Sequence, residues 1–194
     1  MSARHGWLRF RSTGRALPMG LHDDVRPWQA DLLADHRRWY GPADVPDQVS
    51  GAFVLQYLLQ VPAHTAAGSA GVGVRVPRLA GVTFELGPGG VPRLVETGEL
   101  EPAGAEALEA RLAQAEADYR EVAEPLARAY VSTRRMSSRQ RLGMVSDMWA
   151  EAARGVRIRA GDFTVGEPQR LSCCLIYALP GCVECAGCPR LLGR

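Results

Sequence analysis

The sequence predicts an α+β domain, dominated by helix, with a small antiparallel sheet and a C-terminal cysteine-rich segment. Three observations carry that prediction. Apolar residues recur at three- and four-residue intervals through several long stretches, the spacing that lines one face of a helix. Three short β-like runs lie between those stretches, and Gly87-Pro88-Gly89-Gly90 separates the last two. All five cysteines, Cys173, Cys174, Cys182, Cys185 and Cys188, follow Ser172.

Taken in order, residues 7–11 alternate loosely and predict a short strand, which Gly14 and Pro18 end. Asp24 is the expected N-cap of a helix reaching Tyr40, with Trp28, Leu32, Leu33 and Trp39 on its apolar side and Gly41-Pro42 as its stop. A second helix is expected to open near Pro46, to carry Val49, Phe53, Tyr57 and Leu58, and to end at Pro62. Residues 63–73 read as small and flexible. Residues 72–76, 82–86 and 92–96 read as strands, the last two as a hairpin. Residues 103–131 carry the strongest helical periodicity, through Leu108, Leu112, Ala115, Tyr119, Val122, Leu126 and Tyr130, with Pro125 expected to kink or break it. Ser137 and Gln140 have capping-box spacing and open a helix with Leu142, Val145, Trp149 and Ala152 as its buried stripe, stopped at Gly155. Residues 156–165 look strand-like. The domain division expected is an α+β body over residues 1–165 and a cysteine-bearing segment over 166–194.

Composition narrows the function. The chain has 194 residues, enough for one domain but not for two independent enzymes. Its 23 basic residues are all arginine and its acidic residues number 21, so a net charge of +2 offers no concentrated stripe for nucleic acid. Without lysine, neither a Schiff-base nor a phosphate-loop lysine is available. Gly71-Val72-Gly73 hints at a dinucleotide fingerprint, but Val76 stands where its third glycine belongs. The first 20 residues include Arg4, Arg9, Arg11 and Arg15 and lack the apolar run of a secretory signal; no internal run approaches the length of a membrane span. A soluble, cytoplasmic protein is therefore expected.

Five thiols packed together in a reduced protein ask for a metal. Cys185 and Cys188 have the Cys-x2-Cys spacing of a metal knuckle. Cys173 and Cys174 do not, because adjacent side chains diverge in extended backbone. A [2Fe–2S] rhomb, which takes two thiolates on each iron, accommodates such a pair more easily than one zinc ion does. Spacing leaves both open, with a vicinal Cys173–Cys174 disulfide as a minor third reading.

The stretch Arg170-Leu171-Ser172-Cys173-Cys174-Leu175-Ile176-Tyr177, then Pro180-Gly181, then Cys185-x-x-Cys188-Pro189, resembles the C-terminal signature of the FhuF-like ferric-siderophore reductases, Cys-Cys-x10-Cys-x2-Cys. The resemblance covers roughly the last 25 residues, with weaker support from a Trp149-bearing helix upstream. It implies that Cys173, Cys174, Cys185 and Cys188 bind a [2Fe–2S] cluster. It also implies cytoplasmic one-electron reduction of a ferric siderophore, a hydroxamate chelate, to release Fe(II). Cys182 falls outside the pattern and is expected to be a bystander. No nucleotide or flavin motif is present, so an external donor such as a reduced ferredoxin is expected. The alternatives are a [2Fe–2S] electron carrier in siderophore metabolism and a non-catalytic, zinc-stabilised binding module.

Arg170 and Arg190 flank the cysteines and would favour a more negative reduced cluster, or draw an acidic redox partner or an anionic siderophore. Tyr177 is placed to shield the cluster or simply to pack. His5, His22, His36 and His64 are scattered and read as surface residues. Trp28, Trp39 and Trp149 read as core, and Glu184 as solvated. Asp147, on the Trp149 helix, has no evident role.

Overall fold

The computed structural model describes residues 7–41, 45–104, 107–185 and 187–193. Arg4, His5 and Pro42, each named above, lie outside the described residues. Four helices form most of the body: α1 (Arg26–Tyr40), α2 (Asp47–Gly71), α3 (Leu108–Ala129) and α4 (Ser138–Arg159). The strands are short: β1 (Arg9–Arg11), β2 (Met19–Gly20), β3 (Val74–Arg75), β4 (Thr83–Leu86), β5 (Pro92–Glu96) and β6 (Glu101–Pro102).

α2 is the spine. It packs against α4 and α3 most extensively and also against α1. Its buried residues, among them Val49, Leu55, Leu59, Ala63, Ala67 and Ala70, face every direction, the pattern of a helix with protein on all sides. That explains why Pro62 does not end it. A mid-helix proline costs about 3 kcal/mol, but the small residues beyond it let neighbouring helices approach and bury the whole turn. A Cβ on Gly71 would stand 2.8 Å from Val156 of α4. Residues 63–71, expected to be flexible, are therefore helical, and the flanking strand is only Val74–Arg75.

Polar ties fix the helices' register. The Tyr130 hydroxyl donates to the Gly51 carbonyl (2.7 Å) and accepts from Gln29 Nε2 (2.8 Å), joining α1, α2 and the end of α3. Tyr119 donates to the Val145 carbonyl of α4 (3.0 Å) and stacks on Trp149. α3 runs continuously through Pro125.

The larger sheet has the order β1-β5-β4-β2. It is mixed rather than antiparallel, because β1 pairs in parallel with β5. The expected β4–β5 hairpin is present. Its turn needs glycine: Gly89 and Gly90 have φ of 70° and 68°, a region L side chains rarely occupy. Trp28 of α1 donates to the Gly90 carbonyl (2.9 Å) and pins the hairpin to the helices. β3 and β6 pair separately.

Several terminus expectations move. Val25, not Asp24, is the N-cap of α1, although Asp24 Oδ1 accepts from the Arg26 backbone N–H (3.0 Å). Gly155 does not stop α4, which absorbs the first part of the strand-like run and ends at Arg159. Trp39, expected in the core, is 51% exposed on the last turn of α1, whereas Trp28 and Trp149 are core. No described helix is long and apolar enough to cross a membrane.

Candidate metal centre

The cysteine segment has almost no regular structure, so side chains of α4 must hold it. They do so along one stripe. Gln140, Gly143, Asp147 and Arg154 are spaced three, four and seven apart, which stacks them on one helix face. Arg154 donates to the Gly166 carbonyl (2.9 Å) and pairs with Glu167 (2.9 Å). Asp147 accepts from the Leu171 and Ser172 backbone N–H groups (2.7 and 2.9 Å) and from the Ser172 hydroxyl. Gly143 leaves room for the chain to pass, since a Cβ there would lie 3.3 Å from the Leu171 carbonyl carbon. Gln140 Nε2 donates to the Cys173 carbonyl (2.9 Å). Ser137 caps α4 by accepting from the Gln140 N–H, but the Gln140 side chain serves the cysteine segment instead of closing a capping box.

Asp147 is thus the residue that places the vicinal cysteines. An acidic residue between Met144 and Met148 on the apolar stripe of α4 was the available signal in the sequence pattern, and the structure leaves it only 5% exposed. Its partners lie more than 20 residues away, and periodicity within α4 does not reveal them. Arg170 completes the anchor. Its Nε lies 3.6 Å from Asp147 Oδ2, and its Nη2 donates to Gln56 of α2 (3.1 Å).

The four expected ligands come together in two pairs. The Cys188 thiol lies near that of Cys173, and the Cys174 thiol near that of Cys185, and each raises its neighbour. All five thiols are free, so no Cys173–Cys174 disulfide forms. Burial pushes the Cys173 thiol up to about 11 and raises Cys185 also. Arg170, against Cys174 and Cys185, supplies the opposing positive charge. The Leu175 N–H donates to Cys173 Sγ (3.4 Å), which Leu175 achieves by adopting φ of 65°. Among the described residues, no three Cys, His, Asp or Glu side chains group as ligands of one ion. Two neighbouring thiol pairs, soft donors beside a guanidinium and an amide N–H, suit a centre of two irons.

Cys182 stands apart from the quartet. It packs against the small apolar cluster of Val45, Val49 and Leu179, and its thiol is hydrogen-bonded with Tyr40. Tyr177 faces an open groove of about 330 Å³ beside Cys173, lined also by Arg139, Gln140, Leu175 and Arg190. Glu184, expected to be solvated, is partly covered: its side chain is 18% exposed, with Arg190 at 3.9 Å. His22 is exposed, but His36 and His64 are buried, at 5% and 6%, in aromatic surroundings rather than at the surface. Trp7 meets the His64 ring edge-on, and Phe53, Trp39 and Tyr40 surround His36. Neither histidine joins the cysteines.

Residues 170–190 match the family model of the FhuF 2Fe-2S C-terminal domain. No curated protein and no solved structure matched the chain. The matched stretch contains all five cysteines and both flanking arginines. The protein is an iron–sulfur protein whose cofactor is a [2Fe–2S] cluster.

Proposed function

We propose that this protein reduces the iron of a ferric siderophore by one electron and so releases Fe(II), with Cys173, Cys174, Cys185 and Cys188 as the cluster ligands. The observation that carries this reading is the double pairing of those thiols beside an open groove, within the stretch that matches the 2Fe-2S domain. When bound, the cluster supplies a one-electron couple. Ferric iron is held strongly by hard oxygen donors such as hydroxamates. Fe(II), softer and less charged, is held much more weakly, so one electron frees the metal while the chelator oxygens take protons from water.

The chain's own residues set the conditions. Asp147 and Gln140 hold the backbone of the vicinal cysteines in place. Arg170 and the Leu175 N–H put positive charge and a hydrogen bond against the sulfurs, which favours the more negative, reduced state. Cys182 takes no part. The electron comes from an external reductant of the ferredoxin class, and the reducing cytoplasm is the compartment that suits five free thiols.

A single-turnover assay tests the reading. Anaerobically reduced protein is mixed with a ferric hydroxamate and an Fe(II)-trapping chelator. Reoxidation of the visible spectrum in step with one trapped Fe(II) per protein is expected. A red-brown protein that no ferric chelate reoxidises would be an electron carrier instead. A colourless preparation with stoichiometric zinc would leave only a fold-stabilising segment.

A further inference from the structure

We infer that the groove beside Cys173 is the docking site for the ferric chelate and that it selects chelates of net negative charge. This inference rests on the reductase reading above and adds the place and the class of its substrate.

Several cavities are lined by described residues. One, of about 410 Å³, lies between the C-terminal half of α2, β3 and α3, against Ala66 and Ala70. The cysteine segment meets α2 at Gln56 and Tyr57 instead. Nine residues of helix separate Tyr57 from Ala66, the nearer wall, about 13 Å at 1.5 Å per residue. A chelate in that cavity would sit far from the sulfurs. The groove of about 330 Å³ has Cys173 in its wall. Electron transfer needs proximity, and among the cavities given for the described residues the groove is the one with a cysteine in its wall.

Its charge then selects the ligand. Arg139 and Arg190 line the groove, and no acidic residue does. Arg139 is exposed and forms no salt bridge with any described residue, so its charge is unspent. Arg190 is held in place: its guanidinium lies 4.0 Å from the Tyr177 ring centroid and donates to the Tyr177 hydroxyl (3.0 Å). Glu184, 3.9 Å away, offsets it only in part. The positive end of α4 adds to the same field. Gln140 and Ser137 are occupied with the Cys173 carbonyl and the helix cap, which leaves charge as the main recognition element. A ferric trihydroxamate is neutral. A ferric chelate that combines hydroxamates with free carboxylates carries net negative charge, and two guanidiniums are suited to its carboxylates.

Gallium(III) separates binding from reduction, since it matches the charge and size of Fe(III) but accepts no electron under these conditions. The cluster-loaded full chain is titrated calorimetrically with the gallium complex of a citrate-based dihydroxamate, which is anionic, and with a neutral gallium trihydroxamate. The anionic complex is expected to bind about tenfold more tightly at low salt, with the advantage shrinking as salt rises. Arg139→Gln with Arg190→Gln should erase that advantage, change the neutral affinity less than twofold, and keep the visible spectrum. Arg139→Gln alone, which leaves the Tyr177 stack untouched, should remove part of it. Equal affinities in the wild-type protein, or an advantage that survives the double substitution, overturn the inference. So does slowed reduction by a ferredoxin with chelate binding unchanged, which would make the groove the donor's dock. Reoxidation by ferric chelates regardless of charge sinks the groove assignment alone. Gallium binding as expected, without ferric reoxidation, sinks the reductase reading alone.

Discussion

α2 and the cysteine segment are stabilised by opposite means. The helix is buried on every side and survives an internal proline because apolar packing outweighs one missing hydrogen bond. Among the described residues past 165 the chain has only two short 3-10 turns, at Ile176–Ala178 and Pro189–Gly193, and it is anchored through polar side chains of α4. Apolar burial is spread over many contacts and tolerates single changes. A polar anchor concentrates its effect in a few buried groups, where losing one partner leaves the others unsatisfied. The body should therefore fold without metal, while the segment depends on its anchors and its iron.

The largest effect expected is on the sulfurs. Cys174→Ser or Cys188→Ser should abolish the native visible spectrum, whereas Cys182→Ser should leave it largely intact; absorption and iron content check both. Loss of colour from the Cys182 change alone would reverse the ligand assignment. Asp147→Ala comes next. It strands the Leu171 and Ser172 N–H groups and the Arg170 charge, a local cost of about 3 kcal/mol. Iron retention should fall severalfold while far-UV circular dichroism keeps its helical signal. If helix content falls in parallel with iron, the two regions are not separable.

Gly143→Ala sets the regions against each other. Alanine favours the α4 helix by about 1 kcal/mol, but its Cβ would press on the Leu171 backbone. Slightly higher thermal stability of the metal-free body together with faster iron loss is expected; a gain in both would mean the close approach is dispensable. The smallest effect concerns His36, whose buried imidazole is pushed below its ordinary value by desolvation. The unfolded chain binds that proton more readily, so stability is present in full above about pH 6.5 and declines as pH falls below it. Denaturant midpoints from pH 7 to pH 5 should decline less in His36→Phe than in the wild-type protein.

Much of this was legible in the residues. The helix periodicity located α1, α3 and the start of α4, the glycine-rich turn located the β4–β5 hairpin, and Cys-Cys-x10-Cys-x2-Cys pointed to the cluster. These signals are local: a face, a turn or a ligand spacing is encoded within a few consecutive residues. The misreadings share a different cause. Pro62 and Gly155 are breakers by propensity, and neither ends its helix, because packing against distant elements overrules a cost of one to a few kcal/mol. His36 and His64 looked like surface residues because rings that cover them, Phe53 and Trp7, lie far away in the chain.

By itself, the sequence determined where α1, α3, the start of α4 and the β4–β5 turn lie, and which thiols are available to iron. Only the tertiary structure decided that Asp147 anchors the vicinal cysteines, that the thiols pair as Cys173 with Cys188 and Cys174 with Cys185, and that Arg139 lines a groove beside them. The physical reason is range. Backbone geometry acts over one turn of chain, whereas a buried carboxylate is satisfied by whichever donors the folded chain brings to it.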